Sequence, residues 1–443
     1  MKRINTLLLF LLFGYLCKGQ ANAVPDTVFM ADVKNKSNLL YKTQFYFDTN
    51  NSLTLQEVLK KSFEGFKTTY SRVRLQPEQV NSTLYLKILI KNNTEKETSA
   101  YLDPRIYFTR YHLYKVEGES ISIQDSNNVS NYKKLTLAAG TTGLFLLEIK
   151  PLKTELGSIS TLLINADYLT EYRHVLTTQK SDIQIFGLIL SGVLFMMILF
   201  MLTNFVISRK QEFLYNAAYS LCMFLLILFN SSLARGASEY INFYYAYFDF
   251  FLLVTGSVFY ISFARKFLDT KNNYVLLDRI LKHGMRFILL LLLIFTILHF
   301  FTNTFLPQYY VENSMKILFL LLGFAFIYLA LKRKDRLFNY IAAGNAMLVF
   351  FSLISFIIMF LNIKLTHIYF TSLFYYNTGI VLELTFFLLG LTYKNRNELI
   401  KEIKKQEALK LVAEKKEFET QIAVIKAQQE ERNRISADMH DDL

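Results

Sequence analysis

IQIFGLILSGVLFMMILFMLTNFVI, residues 183–207, contains no charged residue and exceeds the roughly 20 residues that a helix needs to cross a bilayer. Six further apolar runs follow, and we predict seven spans at about 183–207, 213–232, 243–264, 284–302, 314–331, 338–361 and 370–393. The chain of 443 residues is 52% hydrophobic, which is too apolar for an ordinary soluble protein. The sequence therefore predicts a multidomain membrane protein organised around a seven-helix transmembrane bundle at 183–393.

Basic residues distinguish the two sides of the predicted bundle. The loops after the second, fourth and sixth spans contain only two basic residues, Arg235 and Lys364. The loops after the first, third and fifth spans carry many more, namely Arg209, Lys210, Arg265, Lys266, Lys271, Arg279, Lys282, Arg286, Lys332, Arg333, Lys334 and Arg336. Because cytoplasmic loops carry an excess of Lys and Arg, we expect these loops and the C-terminus inside, and the N-terminal domain outside. The net charge of +13 is thus a topology signal, and we do not expect nucleic-acid binding.

Two acidic residues interrupt the apolar runs, Asp249 in the third predicted span and Glu383 in the seventh. Each costs on the order of 3 kcal/mol at a bilayer centre, so both side chains are expected to face the bundle interior. Neither has a predicted basic partner within a span. They are candidate polar sites for signalling or for ion coupling in a transporter, and the alternative is simple polar packing between helices.

The first 23 residues have the three parts of a secretory signal peptide. Lys2 and Arg3 precede an apolar run at 7–16, and Ala21-Asn22-Ala23 supplies a cleavage site after residue 23. One of the two cysteines lies before that cut, so the mature chain would keep only Cys222. An internal disulfide is therefore excluded.

Residues 24–180 carry short alternating runs between turn residues. The runs at 83–90, 106–114, 143–149 and 160–164 are rich in Tyr, Ile, Leu and Phe and are bounded by Asn, Gly and Pro. This pattern predicts the strands of an antiparallel β-sandwich. Residues 55–66 are predicted to form a short helix.

Residues 394–430 are rich in Lys, Glu, Gln and Ala, and no Gly or Pro follows to the end of the chain. These residue types favour a helix. Alternating steps of three and four residues give a stripe that predicts a coiled-coil linker in a parallel homodimer, namely Leu411, Lys415, Phe418, Ile422 and Ile425. The alternative is a single solvated helix whose charges alternate in sign.

The last thirteen residues, ERNRISADMHDDL at 431–443, place one histidine beside acidic groups at the end of this helix. A neutral imidazole can attack a phosphoryl group, and a nearby carboxylate can stabilise the cation that develops. The alternative is a surface histidine on a charged helix. The other histidines, His112, His174, His283, His299 and His367, lack acidic or cysteine neighbours at ligand spacing, so we expect no metal site.

The run E-R-x-R-I-x-x-D-M-H-D-D-L resembles the phosphoacceptor box of bacterial sensor histidine kinases that partner LuxR/NarL-type response regulators. The resemblance implies that His440 is the phosphoacceptor and that Asp441 is its general base. It also implies a location in the bacterial inner membrane. ATP and Mg²⁺ would be held by a catalytic domain beyond this chain, in which we expect no cofactor.

The layout of a β-domain before seven spans resembles the seven-transmembrane receptors with diverse intracellular signalling modules. Tyr46-Phe47-Asp48 leading into Leu53-Thr54-Leu55-Gln56-Glu57-Val58 carries that resemblance. It implies that the exported domain is a jelly-roll similar to carbohydrate-binding modules. Tyr85 stands where the family often has tryptophan, and the chain contains no Trp. The extracytoplasmic ligand is therefore open between a carbohydrate and a protein or peptide, and a purely structural role is the alternative.

The sequence as a whole predicts the sensor portion of a two-component histidine kinase, truncated within the phosphoacceptor domain at 431–443. The exported domain would sense a signal, the seven helices would relay it, and His440 would pass a phosphoryl group to a response regulator. One rival is a non-enzymatic receptor that acts through protein contacts alone. The other is a transporter that uses Asp249 or Glu383.

Overall fold

The computed structural model describes residues 26–66, 72–118, 120–125, 131–154, 157–178, 181–232, 239–333, 335–360, 369 and 371–441. The predicted signal peptide at 1–23 lies outside these residues. So do four residues named above, Arg235, Lys334, Lys364 and His367.

Thirteen short strands lie within the described part of the N-terminal domain. They are β1 Val28–Phe29, β2 Lys36–Asn38, β3 Gln44–Asp48, β4 Glu64–Gly65, β5 Val73–Arg74, β6 Thr83–Lys91, β7 Thr98–Asp103, β8 Phe108–Glu117, β9 Ser120–Asp125, β10 Lys133–Leu137, β11 Thr142–Pro151, β12 Ser158–Ile159 and β13 Leu162–Asn165. The larger sheet has the order β4-β3-β6-β11-β8-β9, with β1 added in parallel to β6. A second sheet has the order β10-β7-β13-β2, and β12 pairs with β5.

Both larger sheets bury their inner faces in one apolar core. Leu86 and Ile88 of β6 and Leu113 of β8 meet Leu102 of β7 and Leu163 of β13, and all five side chains are fully buried. Alternation along each strand causes this arrangement, because successive side chains point to opposite faces. The predicted all-β sandwich is confirmed.

The predicted helix at 55–66 is shorter in the structure. It spans Leu55–Leu59 and begins with a capping box, in which the Thr54 and Glu57 side chains bond each other's backbone N–H groups. The prediction was wrong beyond residue 59 because Glu64–Gly65 pairs with β3. Phe63, just before this strand, packs against Val58 and Tyr85.

A helix at Leu169–Thr178 follows the last strand and precedes the membrane bundle. Within the described residues, seven helices are long and apolar enough to cross a membrane. They are Ser181–Ser208, Gln211–Ser232, Glu239–Phe267, Val275–Phe301, Leu306–Arg333, Arg336–Phe360 and Ser372–Asp441, called the first to seventh spans below. The predicted fold class, a β-sandwich followed by a seven-helix bundle and a C-terminal helix, is confirmed.

Several spans begin earlier than the hydropathy pattern predicts. The fourth starts at Val275, so Arg279, Lys282 and Arg286 lie on its first turns and not in a loop. The third contains a π-helical turn at Tyr244–Phe248, which a periodicity of 3.6 residues does not reveal. Helices extend past the apolar run because polar residues are tolerated where a helix leaves the hydrocarbon.

The seventh span packs closely against the sixth. A Cβ atom on Gly344 would lie 2.6 Å from the ring of Phe387, and one on Gly390 would lie 2.9 Å from both Phe267 and Tyr340. Glycine at these two positions therefore lets the neighbouring side chains approach the backbone, as is common between membrane helices. The seventh span also contacts the first and second spans.

Candidate functional site

The seventh span is one continuous helix from Ser372 to Asp441. Its 70 residues correspond to about 105 Å at the usual rise per residue. Its first part packs in the bundle, where Leu384, Phe387 and Leu391 are buried, and its last part is exposed from Leu399 to Ile435. We call residues 399–441 of this helix the output helix.

The predicted phosphoacceptor pair lies at the end of the output helix. The backbone of His440 and Asp441 is helical, while the side chains of residues 436–441 lie outside the described atoms. Adjacent residues on a helix point about 100° apart. The roles of His440 as acceptor and Asp441 as base therefore stay predictions.

The apolar stripe predicted on the output helix is exposed to solvent along this single chain. Leu411, Phe418 and Ile425 are 66%, 64% and 63% exposed, and Ile422 is 40% exposed. The helix itself is confirmed. The coiled-coil dimer stays a prediction.

Two ion pairs hold the seventh span where it leaves the bundle. Lys210 Nζ lies 2.6 Å from Glu398 Oε2, and Lys394 Nζ lies 3.1 Å from Glu212 Oε1. Lys394 also donates to the backbone carbonyl of Lys266 at 3.2 Å. We call these two ion pairs, together with the hydrogen bond from Lys394, the exit clamp. It ties the start of the second span and the end of the third to the base of the output helix.

Glu383 lies inside the bundle, as the sequence predicts. Its side chain is 2% exposed, and Oε2 accepts a hydrogen bond of 2.6 Å from the hydroxyl of Tyr219 on the second span. The ring of Tyr219 lies 5.7 Å from that of Tyr260 on the third span, whose hydroxyl accepts a bond of 2.8 Å from Asn345 on the sixth. Glu383 thus belongs to a buried polar group that joins four spans.

Asp249 lies elsewhere, directly after the π-helical turn of the third span. Its Oδ1 accepts a bond of 2.6 Å from the backbone N–H of Phe250. It lies within electrostatic range of Glu312 and Lys316, which form an ion pair of 2.7 Å on the fifth span. The sequence predicts no basic partner within a span for either acid, and Lys316 on the fifth span lies within electrostatic range of Asp249 while it pairs with Glu312. The two acids do not form one site.

The sandwich contacts the bundle at the end opposite the exit clamp. Lys153, which follows β11, donates to the carbonyls of His299 at 3.3 Å and Thr302 at 2.6 Å, where the fourth span ends. Asn242, near the start of the third span, donates to the carbonyl of Phe108 at 3.1 Å. Phe305, just before the fifth span, is 1% exposed and packs into the sandwich core. The two domains therefore share both polar and apolar contacts.

A cavity of about 470 Å³ lies at this junction. Its lining combines Lys150 and Lys153 from the sandwich with Asn242, Phe243 and His299 from the third and fourth spans. Burial lowers the pKa of Lys153, and burial together with the nearby charge of Arg110 lowers the pKa of Lys150. The sequence does not predict this cavity. The closely spaced lysines of Lys150-Pro151-Leu152-Lys153 were the available signal.

Tyr85 does not supply an exposed stacking surface for a sugar. It is 4% exposed and packs against Phe63 and Leu146 beneath the helix Leu55–Leu59. Burial and the charge of Glu148 raise its pKa to about 12. The position that often carries tryptophan in similar domains is therefore part of a core here.

Metal binding finds no support in the described residues, among which no three His, Cys, Asp or Glu side chains cluster. Cys222 is buried and free.

The transmembrane bundle is similar to a known protein family. Residues 183–394 match the protein family described as 7TM diverse intracellular signalling. The match covers all the predicted spans and supports a multi-pass signalling receptor. A search among curated proteins gave no match to this chain.

Proposed function

We propose that this protein is the sensor part of a two-component histidine kinase system, in which an exported domain controls phosphorylation of His440. The observation that carries the proposal is the unbroken helix Ser372–Asp441. It passes through the polar group around Glu383, through the exit clamp, and on to the predicted acceptor. Any shift or rotation of the seventh span in the bundle therefore moves the segment that carries His440.

The distribution of charge supports an orientation for this receptor. The loops rich in Lys and Arg lie at the end of the bundle that holds the exit clamp, opposite the sandwich. By the positive-inside rule that end faces the cytoplasm. The sandwich would then lie outside the inner membrane of a bacterium, and His440 would lie inside.

The chemistry at His440 follows from the imidazole. A ring nitrogen would form a bond to the γ-phosphorus as the bond from that phosphorus to the ADP oxygen breaks, and Asp441 would stabilise the developing imidazolium. The phosphoryl group would then pass to an aspartate of a LuxR/NarL-type response regulator. No described segment of this chain combines an Asn-bearing box with a Gly-rich lid for ATP and Mg²⁺. We propose that a separate ATP-binding domain holds the phosphoryl donor, as the resemblance of residues 431–443 to a phosphoacceptor box implies.

A parallel homodimer fits this output. The exposed stripe of Leu411, Phe418 and Ile425 would be buried between two output helices. A change at the exit clamp would then alter the packing of both helices and the access of a kinase domain to His440.

The test is the phosphate on His440 in cells that contain the native partners. We expect an acid-labile, base-stable phosphate that is lost in His440→Gln and reduced in Asp441→Asn. His283→Gln is the matched control, because His283 is an exposed histidine at the same end of the bundle. An unphosphorylated His440 in signalling-competent cells would contradict the proposal and favour a receptor that acts through protein contacts alone.

A further inference from the structure

The cavity between the sandwich and the bundle is built from both domains. Lys150 and Lys153 come from the end of β11 and the turn after it, whereas Asn242 and His299 come from the third and fourth spans. Its volume of about 470 Å³ lies in the range of small-molecule sites, which is roughly 300–1,000 Å³. A molecule in this cavity would touch the sandwich and two spans at once.

The two lysines donate hydrogen bonds to neutral acceptors. Lys150 Nζ donates to Asn51 Oδ1 at 2.6 Å and to the carbonyl of Asn81. Lys153 Nζ donates to the two carbonyls at the end of the fourth span. Among the residues that line the cavity in the described structure, none is Asp or Glu. Two partly buried positive charges therefore share this space with neutral polar groups and with no carboxylate among the lining residues that the structure describes.

Two carboxylates of the same sheet, those of Asp48 and Glu148, have other partners. Asp48 accepts three hydrogen bonds from backbone N–H groups, those of Asn50, Asn51 and Leu53, at 3.0–3.2 Å. Glu148 pairs with Arg110 at 3.0 Å and accepts from the hydroxyl of Tyr114. Because burial disfavours a charged lysine, as the lowered pKa of both groups indicates, an added anion would offset that cost.

We propose that this junction cavity binds a small organic anion, held through its carboxylate or phosphate by Lys150 and Lys153. Asn242 and Phe243 complete the site with an amide and an aromatic face. The inference rests on the proposed function, because it treats the occupant as the signal that the receptor reads. Since Lys153 already bonds the end of the fourth span, an anion that draws on both lysines changes how the sandwich is held on the bundle.

Three hexose probes test the site: glucuronate, glucose 6-phosphate and glucose. They share a ring of similar size and differ in the anionic group. Binding is measured by calorimetry on the full chain in lipid nanodiscs. We expect at least one anionic probe to bind with a Kd below about 1 mM and glucose to bind at least about tenfold more weakly. The tighter of the two anions identifies the carboxylate or the phosphate as the preferred group.

Variants show whether the lysines carry the binding. Lys150→Gln and Lys153→Gln should each raise the Kd for the anionic probe by about tenfold or more, and Lys150→Arg should retain binding. Lys134→Gln is the matched control, because Lys134 is an exposed lysine of β10 in the same domain. Thermal unfolding of each variant reports whether the fold is intact. Equal binding of glucose, no binding of either anion at about 10 mM, or unchanged binding in a folded Lys150→Gln protein would overturn the proposal.

The two proposals fail separately. Binding is read without any phosphoryl transfer, and His440→Gln should bind the probe as the unchanged protein does. Anion binding without phosphate on His440 would remove the kinase proposal and keep the site. Phosphate on His440 without anion binding would keep the kinase proposal and remove the site.

Discussion

Inside the bundle, a buried hydrogen bond ties the helix that carries His440 to the second span. Glu383 accepts it from Tyr219 at 2.6 Å, and both side chains are less than 7% exposed. A polar group in the bundle that loses its partner has no water to replace it. The pair therefore favours one register between the second and seventh spans, which is a property that a relay helix needs.

Glu383 and Tyr219 should show a measurable coupling energy. We expect Glu383→Leu and Tyr219→Phe to destabilise the bundle, and a double-mutant cycle to give a coupling of roughly 0.6–1.7 kcal/mol. The measurement is unfolding of the protein in mixed micelles. Tyr215→Phe is the matched control, because Tyr215 lies one turn earlier on the same span. Additive effects of the Glu383 and Tyr219 changes would show that this contact does not fix the register.

Among the elements, the output helix is predicted clearly by the sequence. In the described part of the single chain its apolar stripe has no partner to pack against. The absence of Gly and Pro after residue 390 predicts a long helix, and the structure has one to Asp441. The stripe at Leu411, Phe418, Ile422 and Ile425 is apolar and exposed, in contrast to the buried face of the same helix inside the bundle. An exposed apolar stripe on a polar helix needs a partner to be stable in water.

Cysteine crosslinking should reveal a second output helix along this stripe. In a chain with Cys222→Ala, Phe418→Cys is expected to form a disulfide-linked dimer in membranes, because the stripe lies between the two helices. Thr420→Cys is the control, since it lies two residues on and points about 200° away. Crosslinking is read from the mass of the dimer on non-reducing gels. Equal crosslinking at both positions, or none at 418, would contradict the parallel dimer.

Strands and spans were predictable from the sequence to different degrees. The alternation of β6 and the apolar run of the first span depend on local patterns, and both elements lie close to the predicted positions. The π-helical turn at Tyr244–Phe248 and the early start of the fourth span depend on packing and capping, which hydropathy does not encode. The junction cavity could not be predicted, because its lining residues are far apart in the sequence. Lys153 and His299 are 146 residues apart, and only the docking of two domains brings them together.

At the scale of the whole molecule, the two ends of the bundle make different contacts. The third span runs from Asn242, which contacts the sandwich, to Lys266, whose carbonyl contacts Lys394 of the exit clamp. In the proposed receptor, a change at the junction cavity would reach the output helix through this span. The route is useful only if the sandwich and the output helix face opposite sides of the bilayer.

An impermeant maleimide applied to spheroplasts tests whether the sandwich and the output helix lie on opposite sides of the membrane. In a chain with Cys222→Ala, Ser122→Cys on the exposed edge strand β9 should be labelled in intact spheroplasts, because the loops rich in Lys and Arg keep the opposite end of the bundle inside. Lys401→Cys on the output helix is the matched exposed site and should be labelled only after the membrane is permeabilised. Labelling is read from the mass of the modified protein. Labelling of residue 401 but not 122 in intact spheroplasts would reverse the orientation and place His440 beyond the reach of a cytoplasmic response regulator, because the unbroken helix carries residues 401 and 440 on the same side.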